Sequence, residues 1–201
     1  MPTPWVTPRT WTPNEPVTRD LLNTYVRNQF LSVSFLSTRY VTPDTSAVSV
    51  TLNLPTSSEA THCEIHVHAR SEGAGNTLNA QLTSTGTSYF WQLNRYAGPT
   101  GSTASEGINS TAWAVGNLPG SAGSTADMAY TKLLLPSFNS TLNIKGFVSQ
   151  SAAFLSSNST RGFISQFSGF FFSTAAIGQI TFVTSAGNFA AGCEFSVYGM
   201  P

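Results

Sequence analysis

Charge is what this chain has least of. Charged residues fill 9% of its 201 positions, against about 25% in ordinary soluble proteins, and the nine basic and nine acidic side chains cancel. Without net positive charge there is no electrostatic footprint for phosphates, which excludes nucleic acid as an expected partner. Little charge also means little repulsion between copies, which favours permanent association. Ser and Thr, roughly a quarter of all positions, must supply the polar surface instead.

Other absences narrow the chemistry. No stretch approaches the roughly 18 consecutive apolar residues that span a bilayer, and Met1 is followed by Pro2, Thr3 and Pro4 rather than by a secretory start. The expectation is a chain made in a cytoplasm, with no membrane partner. No Gly-x-Ser-x-Gly elbow occurs, and the spacing of the nine carboxylates proposes no glycosidase pair. No catalytic residue and no cofactor is assigned, and the chain is not read as an enzyme. The two cysteines, Cys63 and Cys193, fall on apolar candidate strands and read by default as buried free thiols, with a disulfide as the alternative.

What is present divides the chain at about residue 40. Residues 1–40 form an expected anchoring arm and helix. Five prolines between Pro2 and Pro16 fix φ and remove donors, so this stretch is extended and cannot pair as a central strand. Trp5, Val6 and Trp11 are apolar groups that a disordered tail would lack, and they point to docking on a neighbour. From Thr18, a suitable N-cap, to about Leu31, the residues Leu21, Leu22, Tyr25, Val26 and Phe30 recur at helical spacing. A lone helix this short is marginal in water and needs a surface to pack on.

From Ala47 the period becomes two. Val48, Val50, Leu52 and Leu54 alternate with Ser49, Thr51 and Asn53. Further strands are expected over 62–70, 78–83, 89–96, 128–135, 142–149, 162–172, 177–184 and 193–199. Eight or nine strands without intervening helices make residues 41–201 an antiparallel β-sandwich of jelly-roll type, with a barrel as the alternative. Residues 98–126 read as a long structureless loop holding Trp113, a candidate partner contact.

His62, Glu64, His66 and His68 share parity, so on one strand all four project from one face while Cys63, Ile65, Val67 and Ala69 face the core. These are ligand types for zinc or nickel, yet same-face neighbours on a strand are about 7 Å apart, too far to share one ion unaided. The expectation is a solvated or interfacial row rather than a metal site; on a three-fold axis each His would instead form a ring. Gly73-Ala74-Gly75 has Leu78 where a dinucleotide motif needs its third glycine and reads as a turn. Phe163, Phe167 and Phe171 share one face of a strand, with Phe170 and Phe172 on the other, as in a strand covered on both sides.

Three segments together carry a resemblance. Trp11-Thr12-Pro13-Asn14-Glu15-Pro16-Val17-Thr18, followed by Leu21-Leu22-Asn23-Thr24-Tyr25-Val26-Arg27-Asn28, resembles the opening of tailed-bacteriophage virion proteins. The run Ala186-Gly187-Asn188-Phe189-Ala190-Ala191-Gly192, then Phe195-Ser196-Val197-Tyr198-Gly199, is similar to the closing strands of phage structural proteins with a sandwich domain. Ala69-Arg70-Ser71 and Tyr89 through Trp91 fall where that family has an Arg-Ser turn and a Tyr-x-Trp strand. Departures are Asn14 for the usual Gly before Glu15, Asn28-Gln29 for Asp-Asn, and Thr83-Ser84-Thr85-Gly86 where an Asn-Gly-Asp turn is common.

The resemblance implies a virion component made in the host bacterial cytoplasm. Its expected partners are phage capsid or tail proteins and two further copies of itself in a homotrimer. The favoured role is capsid decoration or cement through the arm, because no long coiled-coil or β-helical shaft is evident. The alternative is a tail or fibre protein that contacts a host surface glycan; a depolymerase is the remaining, enzymatic reading. Partner contacts are expected at Trp5, Trp11, Leu21, Leu22, Tyr25, Val26, Phe30 and Trp113, and no metal ligand is assigned.

Overall fold

A computed structural model describes residues 18, 36–41, 46–54, 60–74, 77–82, 88–97, 101–120, 127–154 and 162–200. Among these there is no helix; the expected arm and the helix from Thr18 to Leu31 lie outside the described residues, Thr18 itself excepted. Twelve strands follow in chain order: β1 Leu36–Val41, β2 Ser49–Asn53, β3 His62–Ala69, β4 Thr77–Leu82, β5 Tyr89–Ala97, β6 Ser102–Ser110, β7 Trp113–Asn117, β8 Ala129–Leu135, β9 Lys145–Phe154, β10 Gly162–Phe171, β11 Gln179–Thr184 and β12 Glu194–Met200.

They form two antiparallel sheets. The large one runs β1-β12-β3-β8-β9-β10-β5-β6 and the small one β2-β11-β4-β7. The chain alternates between the layers except over β5-β6 and over β8-β9-β10, which stay in the large sheet; the hairpins β5-β6 and β9-β10 widen it. The small sheet therefore covers only part of the large one, and β6 overhangs with most of its residues exposed.

The alternation that marks the strands also fills the core. Val50 and Leu52 on β2, Leu78 and Ala80 on β4, and Ile180 and Phe182 on β11 face Cys63, Ile65 and Val67 on β3, Leu133 on β8, and Phe195 and Val197 on β12. The rings of Phe182 and Phe195 lie 5.5 Å apart, and that of Phe189 stands edge-on to Phe195 at 5.2 Å. A second aromatic cluster joins Trp113 to Tyr89 at 5.6 Å and to Phe147 at 4.6 Å. The Tyr89 hydroxyl there accepts the Leu82 N–H at 2.8 Å and donates to the Leu82 carbonyl at 3.3 Å.

Strand β7 has the most demanding position. All five of its residues are buried, yet it pairs only with β4, so its other edge needs hydrogen bonds from elsewhere. Side chains of the facing sheet provide them. Ser149 Oγ donates to the Val115 carbonyl, Ser151 Oγ accepts the Asn117 N–H at 3.0 Å, and Thr131 Oγ1 lies 2.9 Å from Ser151 Oγ. Asn117 Nδ2 donates to Ser165 Oγ, and the Trp113 indole N–H donates to the Phe170 carbonyl at 3.0 Å.

Two connections are fastened by other means. Lys145 is 1% exposed and donates its ammonium to the carbonyls of Ser140, Asn143 and Thr174, tying the β8-β9 connection to the one after β10. Gly73 and Gly187 touch backbone to backbone: a Cβ on Gly187, whose φ is 78°, would meet Gly73 Cα at 2.6 Å. Ser71 Oγ donates to the Ala186 carbonyl at 3.0 Å beside this contact, so the Gly73 turn exists to let the β11-β12 turn approach.

Several expectations change. Among the described residues the two antiparallel sheets hold twelve strands rather than eight or nine, and the expected boundary after residue 40 falls inside β1, which pairs with β12 along its whole length. The stretch read as a structureless loop contains β6 and β7. Trp113 is corrected from a partner contact to a core residue: it is wholly buried, because β7 must sit between the sheets. The strand expected at 142–149 begins at Lys145 and continues to Phe154. Cys63 and Cys193 are buried and not joined in a disulfide; burial pushes the Cys63 thiol up to about 12 and raises that of Cys193 as well.

Two outcomes follow. Trp113→Ala should cost about 3–5 kcal/mol, the range for emptying a buried aromatic site, as read from urea unfolding midpoints. Thiol-specific reagents should leave both cysteines unmodified in the native protein and label both once it is unfolded, as mass spectrometry would show; rapid native labelling would contradict the burial.

Candidate binding face

The side of the large sheet that faces away from the small one is a continuous surface set by register. One row of partners runs Ser196, His66, Lys132, Gln150, Gln166, Asn94, Ala104, and the next runs Tyr198, Glu64, Leu134, Val148, Ser168, Gln92, Glu106. The first three strands of this face, β12, β3 and β8, carry charge and aromatic rings. The next three, β9, β10 and β5, carry amides, and β6 adds Ala104 and Glu106.

On the β12-β3-β8 side the parity expected for the histidine row is observed: Cys63, Ile65, Val67 and Ala69 are buried and the histidines alternate with them toward solvent. His66 is the best held. Its Nε2 lies 2.5 Å from Glu64 Oε1 and its Nδ1 3.1 Å from the Tyr130 hydroxyl. A carboxylate only accepts, so Nε2 carries the proton and, in the neutral ring, Nδ1 accepts from Tyr130. Tyr130 stands edge-on at 5.7 Å and Tyr198 lies tilted at 5.0 Å. Both imidazole nitrogens of His66 are thus occupied, and among the described residues no group of three His, Cys, Asp or Glu is placed to hold a metal ion. His62 is engaged separately, its Nδ1 2.6 Å from Thr61 Oγ1.

Glu64 links this cluster to a cation: Lys132 Nζ lies 2.7 Å from its second oxygen. Burial opposes ionisation of Glu64, but the hydrogen bonds and charges of Lys132 and His66 outweigh it and hold the carboxyl below its ordinary range. The same hydrogen bond raises Lys132. His66, His68, Tyr130, Glu194, Ser196 and Tyr198 enclose a shallow hollow of about 280 Å³.

The β9-β10-β5-β6 side holds a larger concavity, an open trough of about 810 Å³. Gln150, Gln166, Asn94 and Ala104 occupy one row of its floor, and Val148, Ser168, Gln92 and Glu106 the other. Among the described residues no hydrogen bond ties the side chains of these four amides, which project into solvent. Apolar groups stand on both long sides: Ile164 and Tyr96, 65% and 57% exposed, beyond the first row, and Phe170 and Ile108, 51% and 62% exposed, beyond the second. The floor comes from the two hairpins that widen the large sheet.

Trp5, Trp11, Leu21, Leu22, Tyr25, Val26 and Phe30, the expected partner contacts, lie outside the described residues. The outward placing of Phe170 and Phe172 opposite Phe167 and Phe171 agrees with the parity read from the sequence. The trough residues are not among the expected sites. Their signal is weak but present: the outward positions of β5, β9 and β10 carry amides where an exposed sheet face ordinarily carries ions.

The Glu64 cluster makes stability depend on pH. A lowered carboxyl pKa adds stability that is complete above the unfolded value, about 4.3, and is lost as pH falls through the folded one. The native protein should therefore exceed Glu64→Gln in urea midpoint at pH 7, and the gap should close as pH falls below the ordinary carboxylate range. A gap independent of pH would assign the effect to packing. Comparison of the chain with protein-family models, with curated proteins and with solved structures finds no match.

Proposed function

We propose that this chain is a structural protein of a tailed-bacteriophage virion, a decoration protein that docks on the capsid through its N-terminal arm and acts as a homotrimer. The resemblance of its first and last segments to phage virion proteins is the starting point for the reading. One structural observation carries it further. The arm-bearing segment joins the domain at β1, an edge of the large sheet, whereas the amide trough occupies the opposite edge. Attachment at one edge leaves the other free, which suits a part anchored on a shell and displayed from it.

The strand order supports a jelly roll as the underlying frame. With the two hairpins set aside, the large sheet reads β1-β12-β3-β8 and the small one β2-β11-β4-β7, the four-plus-four arrangement of two interleaved Greek keys. Low charge and an outer face carrying Phe170, Phe172, Ile164 and Ile108 fit a chain that works in contact with others.

A second reading, a tail or fibre protein that contacts a host surface glycan, is favoured by the trough itself. The two readings separate on the virion. Purified protein should bind undecorated capsids and raise their melting temperature, and deletion of residues 1–19 should abolish that binding while the β domain stays folded. Capsid binding retained by the deletion would remove the anchoring role. Electron microscopy of labelled virions would place the protein on head or tail.

A further inference from the structure

We infer that the trough between the β5-β6 and β9-β10 hairpins is a saccharide-binding site, built for a neutral or amine-bearing oligosaccharide. The inference deepens the glycan-contacting reading and rests on it for its biological setting. The binding chemistry stands on the residues alone.

The floor selects the ligand by its hydrogen bonding. Gln92, Asn94, Gln150 and Gln166 each bring two donors and a carbonyl acceptor, and Ser168 brings a hydroxyl. A sugar hydroxyl also donates and accepts, so an array of amides can satisfy it in either sense. Among the described residues no cation lines the trough, and the one ionisable side chain lining it is Glu106, which as a carboxylate only accepts. Sulfated, phosphorylated or sialylated ligands would place negative charge beside that carboxylate with no lining cation to neutralise it, since Lys132, the register neighbour of Gln150, is already paired with Glu64. Sugar hydroxyls and amines suit it.

The setting excludes two other occupants. An extended peptide binds a sheet by pairing with a free strand edge. The four amides sit on β9, β10 and β5, each paired on both sides, and the one free edge here is the outer side of β6, where a paired peptide would extend the sheet beyond the trough rather than lie across its floor. A purely apolar ligand would strip water from four amides without replacing their hydrogen bonds. A polyhydroxylated chain avoids both difficulties.

Size and rims fit as well. Three inter-strand steps of about 4.8 Å make the floor about 14 Å long, room for several linked rings rather than one. The C–H faces of such rings need apolar surface, and Ile164 and Tyr96 on one side with Phe170 and Ile108 on the other supply it. The arrangement is a polar floor flanked on the same sheet face by exposed apolar side chains, as small-molecule sites combine a few convergent polar groups with apolar surface.

The test uses the full chain against an immobilised array of neutral, amino, sialylated and sulfated oligosaccharides, followed by calorimetry with the strongest binder. Binding should fall on neutral or amino sugars. Gln166→Ala and Asn94→Ala should each weaken it about tenfold, as expected for one or two lost hydrogen bonds. Thr181→Ala, on the outward side of the small sheet, should leave it unchanged. All three sites are solvent-facing or half-buried, so unaltered melting curves would certify folding. Failure to bind any saccharide, binding confined to sialylated or sulfated chains, or binding indifferent to the trough variants would each overturn the inference. Capsid binding without saccharide binding would sink this site and leave the decoration role standing; saccharide binding without capsid binding would do the reverse.

Discussion

The structure depends on how one buried edge is satisfied. Strand β7 is the last strand of the small sheet and all its residues are buried, so half of its backbone groups face a layer that offers no pairing strand. An unpaired buried amide or carbonyl costs about 1–3 kcal/mol. The large sheet answers with hydroxyls at inward positions, Thr131, Ser149, Ser151 and Ser165. These side chains make the interlayer contact beneath β9 and β10 polar, and they hold β7 at the point where the two sheets begin to part. Beyond it, β5 still packs Tyr89 against Trp113 of β7, and β6 continues without a facing strand.

That arrangement explains which parts of the fold the sequence disclosed. Strands β2, β3, β4, β8 and β11 bury apolar side chains at alternate positions and are legible as such. Strand β9 is legible only to Ser149, because its next inward residue is Ser151, and a hydroxyl at a core position looks like the end of a strand. In β7 alternation disappears since both faces are covered. For β6 the reason is opposite: it overhangs, and no inward position needs to be apolar. Strand β1 declares itself only through its long-range pairing with β12.

The binding face was legible in part for the same reasons. The histidine row lies on one strand, so parity suffices to place His62, His66 and His68 on a common side. The trough draws on β5 and on the hairpin β9-β10, which are far apart in sequence and meet only because β10 pairs with β5. No local pattern could have joined Gln92 and Asn94 to Gln150 and Gln166. Trp113 illustrates the converse: an aromatic ring in a stretch rich in Gly and Ser suggests a contact loop, yet the ring serves the interior.

The two hairpins that widen the large sheet stand outside the eight-strand frame, and the trough floor is theirs alone. Side chains on that floor point away from the core, so their identities are uncoupled from folding stability. Recognition and foldedness are therefore written at separate positions of the sequence. A lineage under pressure to follow a changing surface can rewrite four amides and a carboxylate without renegotiating the frame that carries them.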